Sequence, residues 1–266
     1  MDMIVCVKQV PDPEMPSSSF RIDPEANRLI PAAGVLPVLN GFDEQAVEAA
    51  LRIKDTHGGK ITVITLGKDL VADVTNKPLA MGADEIVILW DDAFEGGDSY
   101  STAHTLAAGI RKIGKYDLIF CGRQASDWDA GQVGSGIAEI LGIPCVTFAK
   151  DVKAADGKVR VERIVLNGYE VVEAPTPCVI TVSNELGAPR YPTLRGIMAA
   201  GRKQRIRWNA RDLDIFPSRI GAAGARTKLL RLFTPEKMSC CEMVGADTAA
   251  DAGHQLALKL REAGII

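Results

Sequence analysis

Apolar runs alternate with helical repeats over the first 145 residues. Ile4 to Val10, Lys60 to Leu66, Glu85 to Trp90 and Leu118 to Cys121 read as strands, the last as one buried on both faces. Between them, Asn40-Gly41-Phe42-Asp43-Glu44 opens a helix with Ala46, Val47, Ala50, Leu51 and Ile53 at helical spacing, and Gly58-Gly59 ends it. A second helix is expected from Asp69 to Met81, with Pro78 disturbing it, and a third from Tyr100 to Ile113. Strand and helix in this order give an α/β fold, a doubly wound, mostly parallel sheet with right-handed crossovers.

The stretch Asp117 to Gly142 carries the clearest chemistry. Gly122 ends its strand, and a polar loop with two carboxylates, Asp127 and Asp129, follows. From Gln132 the pattern turns helical, with Val133, Ile137, Ile140 and Leu141 on one face, and Gly142 and Pro144 stop it. In open parallel sheets, ligands sit where strand C-termini meet helix N-termini. A helix start offers free N–H groups and a positive dipole end, which suit a phosphate. Gly131, Gly134 and Gly136 would let a ligand approach the backbone. An ordinary strand-to-helix connection with glycines for tight turning fits the same residues.

Outside this alternation, Asp23 to Asn27 turns a short hairpin spanning Phe20 to Ile30. After Phe148 the pattern changes. Val159 to Leu166 and Glu170 to Val172 flank Asn167-Gly168, a hairpin signal, and Pro177 to Val182 is a further strand. That hairpin extends the sheet or folds over it. Ala188 to Pro192 is a proline-bearing linker, Leu194 to Ala200 a short helix, and Gly201 to Arg207 a basic segment facing solvent or a partner. Arg211 to Thr234 shows little periodicity, and a helix returns from Ala249 to Glu262. Such a long tail with a weak core of its own is expected to lie against another subunit. The expected division is a ligand-binding domain over residues 1–190 and an extended arm over 191–266.

Composition narrows the function. The 266 residues are 47% hydrophobic with a net charge of −3, so no basic field points to nucleic acid. No apolar run reaches the ~18 residues of a membrane span, and a cytoplasmic chain is expected. Cys6, Cys121 and Cys178 lie in apolar runs and read as core residues. Cys240-Cys241 has no histidine near it in sequence, so no metal site is expected. There is no Gly-x-Gly-x-x-Gly after the first strand, no P-loop, no His-Glu-x-x-His and no nucleophile elbow. Asp127 and Asp129 read as turn formers or hydrogen-bond acceptors rather than as a catalytic pair, and no catalytic residue is expected.

Along nearly its whole length the chain resembles the β subunit of electron transfer flavoproteins. The resemblance rests on Cys6-Val7-Lys8-Gln9-Val10, on Leu39 to Lys54 (with Gly41 where proline is usual), on Ala80 to Asp84 and on Gly122 to Gly134. Val161-Glu162-Arg163, Pro189 to Leu194 and Ile197-Met198 add later landmarks. The resemblance implies a fold related to adenine-nucleotide α-hydrolases. It implies a heterodimer with an α subunit that carries FAD, and a β subunit that holds AMP or, in the electron-bifurcating branch, a second FAD. Cofactor contacts are implied at Val7, Lys8, Asn40, Leu66, Gly67, Gly122, Gln124, Asp127, Asp129, Gly131, Gln132, Val133 and Gly134. Leu194 resembles the anchor that docks on acyl-CoA dehydrogenases, and Glu162 the acidic contact to the mobile flavin domain. NADH is a donor in the bifurcating branch, which Gln132-Val133-Gly134 resembles more; Asp127-Trp128-Asp129-Ala130-Gly131 departs from both branches. An adenylating enzyme of the same fold class would need a glycine-bearing loop after the first strand, where Lys8 to Pro13 has none. A stress-type ATP-binding regulator would need a Gly-Ser or Gly-Thr where Pro144 stands.

Overall fold

The computed structural model of the chain describes residues 1–16, 19–30, 34–155, 157–235 and 241–266. Two units are distinguished, residues 1–231 and 232–266. In the larger one the expected alternation forms. Strand β1 (Met3–Val7) leads through the two-residue β2 (Gln9–Val10), the small hairpin β3 (Arg21–Asp23) and β4 (Arg28–Ile30), and β5 (Val38–Leu39). Then come α1 (Gly41–His57), β6 (Ile61–Leu66), α2 (Ala72–Met81), β7 (Glu85–Leu89), α3 (Ser99–Ile113), β8 (Leu118–Gly122) and α4 (Val133–Leu141). The chain continues with β9 (Cys145–Ala155), β10 (Lys158–Val165), β11 (Gly168–Pro175), β12 (Cys178–Val182), α5 (Leu194–Ala200), β13 (Gln204–Trp208) and the single turn α6 (Gly221–Gly224).

Nine of these strands make one sheet in the order β11-β10-β9-β12-β8-β1-β6-β7-β13. From β9 through β12, β8, β1, β6 and β7 to β13 the pairings are parallel; β10 and β11 extend the sheet antiparallel at one edge. Every residue of β1, β7 and β12 is buried, which explains runs with no polar alternation. Two cores result. Leu51, Val74 and Leu79 of α1 and α2 pack on one face of the sheet. Ala103, Leu106 and Ile137 of α3 and α4 pack on the other. The chain leaves β1 towards β6 on one side and later returns to β8 on the other. The ends of β1 and β8 therefore mark the point where strand order reverses, the usual place for a ligand.

Four local expectations change. The strand from Ile4 breaks at Lys8, because Lys8 N–H donates to the Asp43 carboxylate (2.7 Å) and Gln9–Val10 turn away to pair with Val38–Leu39. Pro78 sits inside α2 without ending it: it forgoes one backbone bond in the last turn of a helix packed on the core. The basic segment is not merely solvated. Gln204–Trp208 becomes the edge strand beside β7, and Lys203 Nζ donates to the carbonyls of Leu79 (2.8 Å) and Ala83 (2.6 Å). Strand β9, whose apolar residues are interrupted by polar ones, was not expected and forms a second hairpin with β10.

The larger unit runs past residue 190, with Ala200, Leu213 and Ile220 buried in it. The smaller unit contains α7 (Ala249–Glu262), capped by Thr248, whose hydroxyl accepts from Asp251 N–H at 3.2 Å. No residue of α7 is buried, and Leu256 and Leu258 are exposed. Among the described residues no helix is long and apolar enough to cross a membrane.

Candidate functional site

The start of α1 fastens two loops at the reversal point. Asp43, buried in the first turn, accepts from Lys8 N–H (2.7 Å) after β1 and from Gly122 N–H (3.1 Å) at the end of β8. Burial pushes the Asp43 carboxyl up to about 7 against the pull of Asn40 and of these two N–H groups. A Cβ on Gly122 would stand 2.4 Å from Asp43 Oδ1 and 2.8 Å from Phe42, so only glycine fits there. Asn40 works beside Asp43. Its amide donates to the Gln124 carbonyl (2.9 Å), and its Oδ1 accepts from Ser126 N–H (3.3 Å).

The loop so fixed borders a cleft of about 800 Å³. Val7, Lys8, Asn40, Leu66, Gly122, Gln124, Gly131, Gln132, Val133 and Gly134 all line it. Gly67, Asp127 and Asp129 do not. Asp127 pairs with Lys8 Nζ at 2.6 Å, Asp129 accepts from Gln124 Nε2 at 2.7 Å, and Gly67 N–H donates to the Leu89 carbonyl. Both carboxylates thus orient lining residues. Asp129 (φ 50°) and Gly131 (φ 62°) take left-handed backbone where the loop turns back toward α4. Arg123, also on the cleft, lies over the rings of Phe42 and Phe148 at 5.2 and 5.5 Å and donates to Ser183 Oγ at 3.3 Å.

Helix α4 starts without a side-chain cap, which leaves its first N–H groups for a ligand. Its glycines Gly134 and Gly136 also serve close packing. A Cβ on Gly134 would meet Thr181 Cγ2 at 2.6 Å and Cys121 Cβ at 3.4 Å, and one on Gly136 would meet Ala103 Cβ at 2.9 Å. They let α4 sit close to the sheet and to α3. Gly131 alone of the three has open space around it, with Arg123 O at 3.4 Å as the nearest atom.

The opposite wall was not foreseen. Gly96, Gly97, Asp98, Ser99 and Thr102 at the start of α3 line the cleft, as do Thr227 to Arg231. Asp98 joins them: it accepts from Ser101 N–H in a capping box, and from Arg226 N–H (2.7 Å), Thr227 N–H (2.8 Å) and Thr227 Oγ1 (3.0 Å). Burial works against the Asp98 charge, but these hydrogen bonds outweigh it and hold the carboxyl at about 2. The capping box was available as a signal in Asp98 to Ser101. Nothing local in Thr227 to Arg231 reveals where that segment returns.

Glu162 lies on β10, ion-paired with Lys150 at 3.3 Å, and Leu194 opens α5 with its side chain 76% exposed. Neither lines the cleft. Among the described residues no group of three or more His, Cys, Asp or Glu side chains could hold a metal.

Residues 33–213 match the model of the electron transfer flavoprotein domain. The chain belongs to the electron transfer flavoprotein family. It is a β-type electron-transfer subunit of that flavin-associated family, as its relatives show. It is 41% identical over 267 residues, the full length of both chains, to the caffeyl-CoA reductase–Etf complex subunit CarD of Acetobacterium woodii. It is 40% identical over 262 residues, 98% of each chain, to the electron transfer flavoprotein subunit beta of Clostridium acetobutylicum. It is 37% identical over 242 residues to the acryloyl-CoA reductase electron transfer subunit gamma of Anaerotignum propionicum, covering 88% of this chain and 89% of the relative. Family membership covers the Gly122–Gly134 loop and the start of α1, which both fall inside the matched stretch.

Proposed function

We propose that this chain pairs with an α subunit carrying the shuttling FAD, and that its own cleft holds an adenine nucleotide by the Gly122–Gly134 loop. The observation that carries this reading is the junction of the β1 and β8 loops through Asp43, beneath an uncapped helix start. The first N–H groups of α4 hold phosphate, Lys8 neutralises it, and Asn40 keeps the loop in register. The cofactor-binding residues are those lining the cleft together with Gly67, Asp127 and Asp129 beside it.

FAD is the favoured occupant over AMP. The cleft of about 800 Å³ lies at the upper end of the ~300–1,000 Å³ typical of small-molecule sites, more than a mononucleotide fills. A bound flavin supplies one- and two-electron redox chemistry; the chain's residues position it and shape its surroundings. NADH is then the donor that feeds it. The arm 191–266 packs on the α subunit, where α7 gains the cover it lacks by itself. Leu194 anchors an acyl-CoA dehydrogenase or a similar flavoprotein, and Glu162 meets the mobile flavin domain.

Co-expression with an α subunit tests this reading. A 1:1 complex in sedimentation, with two flavins released per heterodimer on denaturation, is the expected outcome. One flavin and one AMP would move the occupant to AMP. No complex, or no nucleotide from this chain, would overturn the proposal.

A further inference from the structure

Two thiols stand together on the floor of the cleft. Strands β1 and β8 are parallel neighbours with Val5 opposite Phe120, so Cys6 and Cys121 occupy the next register positions, on strands ~4.8 Å apart. Side chains alternate along a strand, and Cys6 and Cys121 join Ile4 and Ile119 in one hydrophobic cluster, on the same face of the sheet. Both sit at the C-terminal ends of their strands and line the cleft, 6% and 5% exposed. Both are free thiols. Cys178, in contrast, packs into the core of the other face.

Cys121 also lies directly under the phosphate loop. Its Sγ is 3.7 Å, and its Cβ 3.4 Å, from where a Gly134 Cβ would stand. Any group added to this sulfur therefore presses on the start of α4. The neighbouring Cys6 thiol and then burial push the Cys121 thiol well above its usual range. Reagents that attack thiolates will find it slow. A reagent that bonds both sulfurs gains instead from their adjacency, because the second bond closes within one complex.

We propose that Cys6 and Cys121 form a dithiol site for trivalent arsenicals, and that its occupation excludes nucleotide from the cleft. The site stands on the strand register and the cleft lining; the exclusion rests on the nucleotide reading above. With phenylarsine oxide the reaction is a condensation. The two S–H bonds and the As=O bond break, two As–S bonds form, the two protons leave with the oxygen as one water, and arsenic keeps its oxidation state. The cyclic product bridges β1 and β8 beneath Gly134 and fills the floor on which the nucleotide would rest.

The test uses the full-length chain with Cys240 and Cys241 replaced by Ser, so that this adjacent pair cannot take the reagent. Protein freed of nucleotide by dialysis is treated with phenylarsine oxide, followed by intact mass and peptide mapping. One adduct linking the Cys6 and Cys121 peptides is expected, lost in Cys6→Ala, Cys6→Ser, Cys121→Ala and Cys121→Ser. AMP at roughly a hundred times its Kd should slow adduct formation by ~100-fold, the factor by which it depletes the free cleft. No bridging adduct on the parent protein overturns the dithiol site, and this readout needs no further variant. A bridging adduct that forms at the same rate while dialysis shows AMP bound overturns the exclusion. If FAD binds and AMP does not, FAD takes its place in the rate comparison; if dialysis shows binding of neither, the nucleotide reading fails and takes the exclusion with it, while the adduct still decides the dithiol site.

Discussion

Lys8 Nζ and the Asp127 carboxylate meet at 2.6 Å, joining the loop after β1 to the loop after β8 beside the cleft. The pair is partly open to water, with side chains 42% and 18% exposed, so it contributes only ~0.2–1 kcal/mol to stability. Its use lies in placement: Asp127 holds the Lys8 cation at the cleft wall. Lys8→Met should therefore lower nucleotide affinity markedly while shifting Tm little. Asp127→Asn should cost less affinity, since the cation remains. Isothermal titration with AMP or FAD, beside thermal melts, checks both. Equal affinity in Lys8→Met and the parent would remove Lys8 from the binding residues.

Gly134 provides a steric test. In Gly134→Ala the new methyl meets Thr181 Cγ2 at 2.6 Å, on a buried β-branched side chain with no room to yield. Overpacking of this kind costs ~1–3 kcal/mol, and it lifts α4 off the sheet and empties the cleft. Adding Thr181→Ser removes that methyl but keeps the hydroxyl that accepts from Phe148 N–H at 3.1 Å. The double variant should recover most of the lost stability and nucleotide. Chemical denaturation and nucleotide content measure both effects; no recovery would show that the strain lies elsewhere.

Much of this architecture was legible in the chain. Buried strands announced themselves as unbroken apolar runs because helices cover both sheet faces, and Asn167-Gly168 marked its hairpin. The loop from Gly122 to Gly134 was readable because strand end, polar turn and helix start follow one another locally. What stayed hidden depends on long-range contacts. Asp43 reads as an ordinary acidic residue in a helix's first turn, and only the fold brings Lys8 and Gly122 to it. Strand β13 carries arginines because it lies at a sheet edge, where the charges reach solvent. The return of Thr227 to Asp98 spans more than a hundred residues and leaves no local pattern.

Asp43 should tie stability to pH. Its carboxyl titrates near 7 in the folded chain and near the ordinary ~4 when unfolded. The folded state holds the extra proton between these values. The stabilisation is fully present below about pH 4 and is lost as pH rises towards 7, with a slope approaching ~1.4 kcal/mol per unit. Urea unfolding of the parent and of Asp43→Asn from pH 4 to 8 isolates this contribution. The difference between the two should change across that window; parallel curves would contradict the buried titration.

Leu194 is the first residue of α5. Its side chain points outward, 76% exposed, with Tyr191, Ile197 and Met198 also exposed nearby. Leu194→Ala should change stability by less than ~0.5 kcal/mol. As a partner anchor it should weaken binding to the acyl-CoA dehydrogenase or similar flavoprotein by ~1–3 kcal/mol. Surface plasmon resonance against that partner, with a melt as control, checks it. Unchanged affinity would remove Leu194 from the interface.

The most direct measurement is the nucleotide content of the chain purified in complex with its α subunit. Acid release followed by chromatography counts the AMP and FAD that this chain contributes. One adenine nucleotide per chain, reduced to near zero in Gly134→Ala, is the expected result. A fully folded complex with no nucleotide on this chain, or one that Gly134→Ala retains in full, would contradict the assignment of the cleft.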